Sequence, residues 1–131
     1  MPAPRRFEFS RRRRLITPGQ FQSVFANARR SGDRYFTVLY QESGGEDARI
    51  GFALAKKKLP LAVTRNRVRR IGRESFRHAR HNLPGLDIVV LGQPAAGQAS
   101  RAELAASLSR HWQRLQHGYD DSRPRKPRPA P

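Results

Sequence analysis

Ala62-Val63-Thr64-Arg65-Asn66-Arg67-Val68-Arg69-Arg70-Ile71-Gly72-Arg73-Glu74-Ser75-Phe76-Arg77-His78-Ala79-Arg80 lies between two short apolar runs, and its reading decides which fold can hold all three. At about 100° per residue, Arg65, Arg69, Arg73, Arg77 and Arg80 project together with Asn66 and Arg70 into one helical sector of roughly 140°. Val68, Ile71, Gly72, Ser75 and Ala79 are expected on the opposite side. Such a helix seats a small, apolar stripe on a core and turns a row of guanidiniums toward an anionic partner. The run before it, Ala48 to about Ala55, reads as a strand, and the run after it, Asp87-Ile88-Val89-Val90-Leu91, is apolar enough to be a buried central strand. Strand, helix and strand in that order make a crossover unit.

Outward from this unit, Tyr35-Phe36-Thr37-Val38-Leu39-Tyr40 is rich in aromatic and β-branched residues and is expected to be a strand. The loop from Gln41 to Asp47 carries Gly44-Gly45, so this strand and the Ala48 strand are expected to pair as an antiparallel hairpin. Further upstream, Ile16-Thr17-Pro18-Gly19-Gln20-Phe21 has the marks of a helix start: Thr17 as N-cap, Pro18 in the first turn, and Ile16 stapled to Phe21. That helix is expected to run to about Ala28 with Phe21, Val24, Phe25 and Ala28 as its stripe, and Ser31-Gly32-Asp33 is expected to end it. Lys56-Lys57-Lys58-Leu59-Pro60-Leu61 is a basic loop. Ser100-Arg101-Ala102-Glu103 forms a capping box opening a last helix, whose core stripe is Leu104, Leu108, His111 or Trp112, and Leu115. The result is an α+β sandwich, with helices packed on one sheet. Residues 1–14 read as a basic arm, 15–118 as a single domain, and 119–131 as a disordered Pro- and Arg-rich tail.

The 131 residues carry 27 Lys plus Arg against 10 acids, a formal charge of +17. Self-repulsion of that size opposes folding, so a merely solvated surface is a poor account of it, and a polyanion such as nucleic acid is the expected partner. The chain has no cysteine, which excludes disulfides, thiolate chemistry and cysteine-held zinc, and a reducing compartment is expected. No signal-peptide run or long apolar stretch occurs, so the expected location is the cytoplasm, with no membrane partner.

Beyond charge, the order of specific residues carries a resemblance. Gly51-Phe52-Ala53-Leu54-Ala55-Lys56-Lys57, followed by the segment from Ala62 to Arg77 with its Arg65-Asn66, Arg69-Arg70 and Arg73-Glu74-Ser75-Phe76-Arg77, resembles the signature of the bacterial ribonuclease P protein subunit. The likeness extends over roughly residues 15 to 116. It implies a single-domain αβββαβα sandwich with one central mixed sheet, of the kind also found in ribosomal proteins. It implies too that a catalytic RNA and its Mg2+ ions remove the 5′ leader of precursor tRNA, while the protein binds that RNA and the leader within an endonucleolytic ribonucleoprotein, a hydrolase. Small-molecule substrates have no place in this scheme. By position, Lys56, Lys57, Lys58, Arg65, Asn66, Arg67, Arg69, Arg70, Arg73 and Arg77 would bind the catalytic RNA, with Asn66 supporting nearby metal sites. Phe21, Phe25 and a strand aromatic, Tyr35 or Phe36, would line a cleft for the single-stranded leader.

The residues themselves agree with both roles. Guanidinium forks pair two-pronged with phosphates, and aromatic faces hold single strands of variable sequence by stacking. No catalytic residue is assigned: there is no Asp-x-Asp on a strand, no nucleophile elbow and no phosphate-binding glycine loop, so the protein alone is expected to be inert. Without the resemblance, Phe21 and Phe25 would read as ordinary core, and His78, His81, His111 and His117 as surface histidines without a metal. A structural RNA-binding protein of the ribosomal kind and a self-sufficient nuclease are the competing readings.

Overall fold

In Phe36-Thr37-Val38-Leu39-Tyr40 the odd and even residues face different ways, as strand geometry requires, and the two faces of the sheet built on this strand differ in what they meet. The computed structural model describes residues 28–45 and 47–121. Its elements are β1 (Arg29–Gly32), β2 (Phe36–Glu42), β3 (Arg49–Ala53), α1 (Ala62–Ala79), β4 (Leu86–Gly92) and α2 (Arg101–Gln116), with 3-10 turns at Arg80–Asn82 and Pro94–Gly97. The helix expected around Phe21 and Phe25 lies, apart from Ala28, outside the described residues.

The four strands form one sheet in the order β1-β2-β4-β3. β4 runs antiparallel to β2, from Phe36 opposite Gly92 to Glu42 opposite Leu86, and parallel to β3, from Arg49 opposite Asp87 to Ala53 opposite Leu91. The mixed α+β sandwich is therefore present, but the expected β2–β3 hairpin is not, because β4 sits between the two strands. The reason is apolar content. Ile88, Val89 and Val90 are fully buried, and an interior position gives such a strand a ladder on both edges as well as cover on both faces. Its single acid, buried Asp87, is neutralised by Arg49 directly opposite, with 2.9 Å from the guanidinium to Oδ1.

β1 departs from the residue-by-residue reading, which ended a helix here, but it completes the three strands that the αβββαβα order implied by the resemblance places ahead of the arginine helix. Arg29-Arg30-Ser31-Gly32 is a poor strand former by composition and was expected to follow a helix end, yet it pairs antiparallel with β2 from Arg29 opposite Tyr40 to Gly32 opposite Thr37. The first residues of the expected tail close its outer edge. Asp121 donates its N–H to Arg30 O at 2.8 Å, Asp120 and Asp121 accept from Arg30 N and Gly32 N, and the Tyr40 hydroxyl donates to Tyr119 O. An exposed strand edge is thereby covered by its own chain.

One face of the sheet (Phe36, Val38, Tyr40, Ile50, Ile88, Val90) packs on Val68, Ile71 and Phe76 of α1 and on Leu104, Leu108, Trp112 and Leu115 of α2. The Cε2–Cζ edge of the Phe52 ring presses against Gly72, where a Cβ would come within 2.5 Å of it, so glycine lets α1 approach this closely. Trp112 donates to Ser75 Oγ at 2.8 Å and meets Phe76 edge-on at 5.9 Å, joining the two helices. α2 opens with the expected capping box between Ser100 and Glu103. The opposite sheet face carries Leu39, Ala53, Val89 and Leu91, and Ala28 packs on it.

Candidate nucleic-acid interface

α1 buries Val68, Ile71, Gly72 and Phe76, so its core-facing arc includes Phe76 and lies closer to Arg65 and Arg69 than the helical projection alone suggested. The outward arc is centred on Arg70 and Arg77. Asn66, Arg70, Arg73 and Arg77 are exposed, whereas Arg65, Arg67 and Arg69 are half-buried. Lys56, Lys57 and Lys58 are exposed on the loop that leads into the helix. That loop is anchored by Leu59, 1% exposed, a core residue the sequence reading had left in a basic loop.

The cations read as one row therefore divide by task. Arg65 donates to the carbonyls of Leu59 and Pro60 at 2.8 and 2.9 Å, tying the lysine loop to the start of α1. Arg67 donates to Ala99 O at 3.1 Å, tying α1 to the turn before α2. Arg69 donates to Asn66 Oδ1 at 3.1 Å, Arg77 pairs with Glu74 at 2.9 Å, and Lys58 donates to Gln93 Oε1 at 3.1 Å. Glu74 is the one acid of α1; its hydrogen bonds from Arg77 and His78 hold its carboxyl below the usual range. α1 has no side-chain N-cap and no acid in its first turn, so the positive end of its dipole adds to the cationic field.

The expected leader residues fare differently. Phe21 and Phe25 lie outside the described residues. Tyr35 is half-buried, with the Arg34 guanidinium 5.5 Å from its ring centre. Phe36 is 1% exposed and meets His111 edge-on, so it is a core residue with no free face for a base. Period two explains this: Phe36 shares the helix-covered face with Val38 and Tyr40, while Thr37 and Leu39 point the other way. Leu39, Ala53 and Leu91, partly buried around Val89, form the face on which Ala28 packs, and nothing in the sequence reading singled them out. Strand alternation counted from Phe36 was the available signal.

His111 and Trp112, offered as alternatives for the core stripe of α2, both belong to it, so His111 is fully buried and not the surface histidine of the metal reading. Arg114 donates to Ser31 Oγ at 3.2 Å, Ser31 Oγ lies 2.7 Å from His111 Nδ1, and His111 Nε2 lies 3.3 Å from Asp33 Oδ2. With Arg114 as donor to Ser31, the consistent arrangement has the Ser31 hydroxyl donating to Nδ1 and the proton on Nε2 facing Asp33. Burial holds the imidazole below its ordinary pKa against the pull of Asp33. Burial would raise Asp33, but the Ser107 hydroxyl, the N–H groups of Phe36 and Tyr35, and His111 bring it down to about 2. This Ser-His-Asp line fastens β1 to α2, and with Ser31 and His111 both at 0% exposure neither the hydroxyl nor the imidazole can reach a substrate. Among the described residues no group of three or more His, Cys, Asp or Glu comes together as a metal site, and no helix is long and apolar enough to cross a membrane.

The ribonuclease P family model matches residues 9–116. A ribonuclease P protein component of Aliivibrio salmonicida is 41% identical over 109 residues, covering 83% of this chain and 93% of the relative. One of Thioalkalivibrio sulfidiphilus is 42% identical over 107 residues, covering 82% and 89%. Among solved structures, the RNase P protein of Thermotoga maritima superposes with a TM-score of 0.71 at 26% identity, covering 78% of this chain and 96% of that one. A Staphylococcus aureus RNase P protein mutant with defective mRNA degradation activity gives 0.72 at 26% identity, covering 78% and 86%. The chain belongs to the ribonuclease P protein family.

Proposed function

We propose that the chain binds the catalytic RNA of ribonuclease P through the outward arc of α1 and assists endonucleolytic removal of the 5′ leader from precursor tRNA. The observation that carries this reading is the exposed arc of Asn66, Arg70, Arg73 and Arg77, continuous with exposed Lys56, Lys57 and Lys58 and interrupted by one acid that two neighbours already engage. Forked guanidiniums on a rigid helix suit the phosphates of a structured RNA, and Arg65 and Arg67 fix the angle at which that helix is presented.

The leader is assigned to the other sheet face. Leu39, Ala53, Val89 and Leu91 give it an apolar floor, and Phe21 and Phe25 precede Ala28, which packs there. A single strand of variable sequence is held by such stacking and apolar contacts rather than by base-edge readout. Tyr35 is retained as a strand aromatic near this cleft, and Phe36 is not.

Mg2+ ions on the catalytic RNA would supply the hydroxide and the Lewis acid. The donor set of the chain fits that division: Asn66, already accepting from Arg69, is suited to outer contact with a hydrated ion rather than to holding one. The chain positions substrate and neutralises phosphate, as part of a cytoplasmic ribonucleoprotein. The test is recovery of RNA from the native complex. Enrichment of the ribonuclease P RNA supports the assignment; ribosomal RNA alone would support the structural RNA-binding alternative instead. The S. aureus mutant named for defective mRNA degradation gives reason to assay the RNA-free chain for cleavage in the same experiment.

A further inference from the structure

Beside the outward arc, α1 and the start of α2 enclose an open hollow of about 340 Å3 lined by Val63, Thr64, Arg67, Arg70, Ile71 and Arg101. Three arginines from two helices therefore line one hollow, although sequence reading gave Arg101 no role beyond a position inside the capping box. Arg67 is held by its bond to Ala99 O, which fixes one wall. Arg70 and Arg101 are exposed and, among the described residues, make no hydrogen bond or ion pair. Neither acid nearby competes: Glu74 is taken by Arg77 and His78, and Glu103 turns back to the Ser100 backbone. Val63, 72% exposed, is the apolar part of the rim.

We infer that this hollow is a phosphate site in which Arg101 of α2 joins Arg67 and Arg70 of α1 to grip the backbone of the catalytic RNA, with Val63 against the adjoining ribose. The inference rests on the proposed binding of that RNA to α1. Two unpaired forks beside a third whose position is fixed suit an oxyanion with several free oxygens, and continuity through Arg70 with the arginine arc selects the RNA proposed to lie there over a separate acidic ligand. It extends the interface from one helix to two, so that the RNA also clamps α1 to α2.

The test uses the full chain and the ribonuclease P RNA of the same organism, with affinity measured by filter binding across a salt series. Arg101→Ala should weaken binding about tenfold and reduce the salt slope by about 0.7 to 0.9, the change expected for one phosphate contact. Arg101→Lys should recover only part of the loss, because an ammonium cannot reproduce the fork. Arg70→Ala combined with Arg101→Ala should cost less than the product of the single losses, since both act on one phosphate. Arg110→Ala removes the same charge elsewhere on α2 together with its 3.5 Å pairing to Asp33, and with a Tm matching the parent it reports the effect of net charge. Equal losses for Arg101→Ala and Arg110→Ala, or no loss for Arg101→Ala, would overturn the site while leaving RNA binding by α1 intact. Failure of the unmodified chain to bind the RNA would instead overturn the reading on which the site rests, and tighter binding of an acidic peptide than of RNA would reassign the hollow.

Discussion

Replacing Arg70 and Arg73 together with Ala separates an RNA-binding role from a structural one. Both side chains are exposed on α1, and alanine is a better helix former than arginine, so stability should stay within about 0.5 kcal/mol of the parent. Each lost charge-assisted contact to phosphate should cost about 1 to 3 kcal/mol of binding, or together roughly 30-fold to more than a thousandfold. The salt slope should fall by about 1.4 to 1.8 for two phosphates. Arg65→Ala supplies the contrast. It removes the donor to Leu59 O and Pro60 O and should cost about 1 to 3 kcal/mol of stability, at about 4 to 8 °C of Tm per kcal/mol for a domain of this size. Filter binding over a salt series and thermal melting by circular dichroism read both. Unchanged affinity and slope in the Arg70/Arg73 variant, or a Tm loss matching that of Arg65→Ala, would refute the division of these arginines.

Further outcomes follow from the packing and from the proposed leader cleft. Because burial holds His111 below its ordinary value, the unfolded chain binds more protons as pH falls through about 6.5, and stability should decline there; His111→Gln should flatten that limb in Tm measured against pH. Asp33, lowered to about 2, gives stability that is present above about 4 and lost between there and 2; the shift corresponds to about 1 to 2 kcal/mol after allowing for solvent access, and urea melts of Asp33→Asn against pH check it. Gly72→Ala should lose about 1 to 3 kcal/mol despite its better helix propensity, because the new methyl meets the Phe52 ring, and a gain in Tm would contradict that packing. Phe36→Ala should cost about 3 to 5 kcal/mol of stability, whereas Phe25→Ala should weaken precursor tRNA binding by about 1 to 3 kcal/mol and leave mature tRNA nearly unchanged in a holoenzyme that melts normally; equal losses for both tRNAs would return Phe25 to the core.

What the chain reveals without coordinates depends on how local each signal is. α1, β4 and α2 are legible because a helical arginine period, an unbroken apolar run and a Ser100–Glu103 capping box each act within a few residues. β1 is not, since Arg29-Arg30-Ser31-Gly32 becomes a strand only by pairing with β2, and the place of β4 between β2 and β3 is likewise a long-range choice. At the interface, the residue types were legible but not their tasks. Arg65 and Arg70 look alike in sequence, and only the carbonyls of Leu59 and Pro60 distinguish a brace from a free fork. Phe36 was chosen and Leu39 passed over for the opposite reason: aromatic character drew the assignment, while strand alternation decides which face each side chain occupies. His111 gave no sign of its buried line to Ser31 and Asp33, both far away in sequence.

The most direct test is cleavage of precursor tRNA at low magnesium by the reconstituted particle. The catalytic RNA together with the chain should release the intact 5′ leader, neither component should do so alone under those conditions, and the Arg70/Arg73 variant should require more protein for the same rate. Cleavage by the chain after rigorous removal of RNA, or no stimulation of the catalytic RNA by a folded chain, would contradict the assignment.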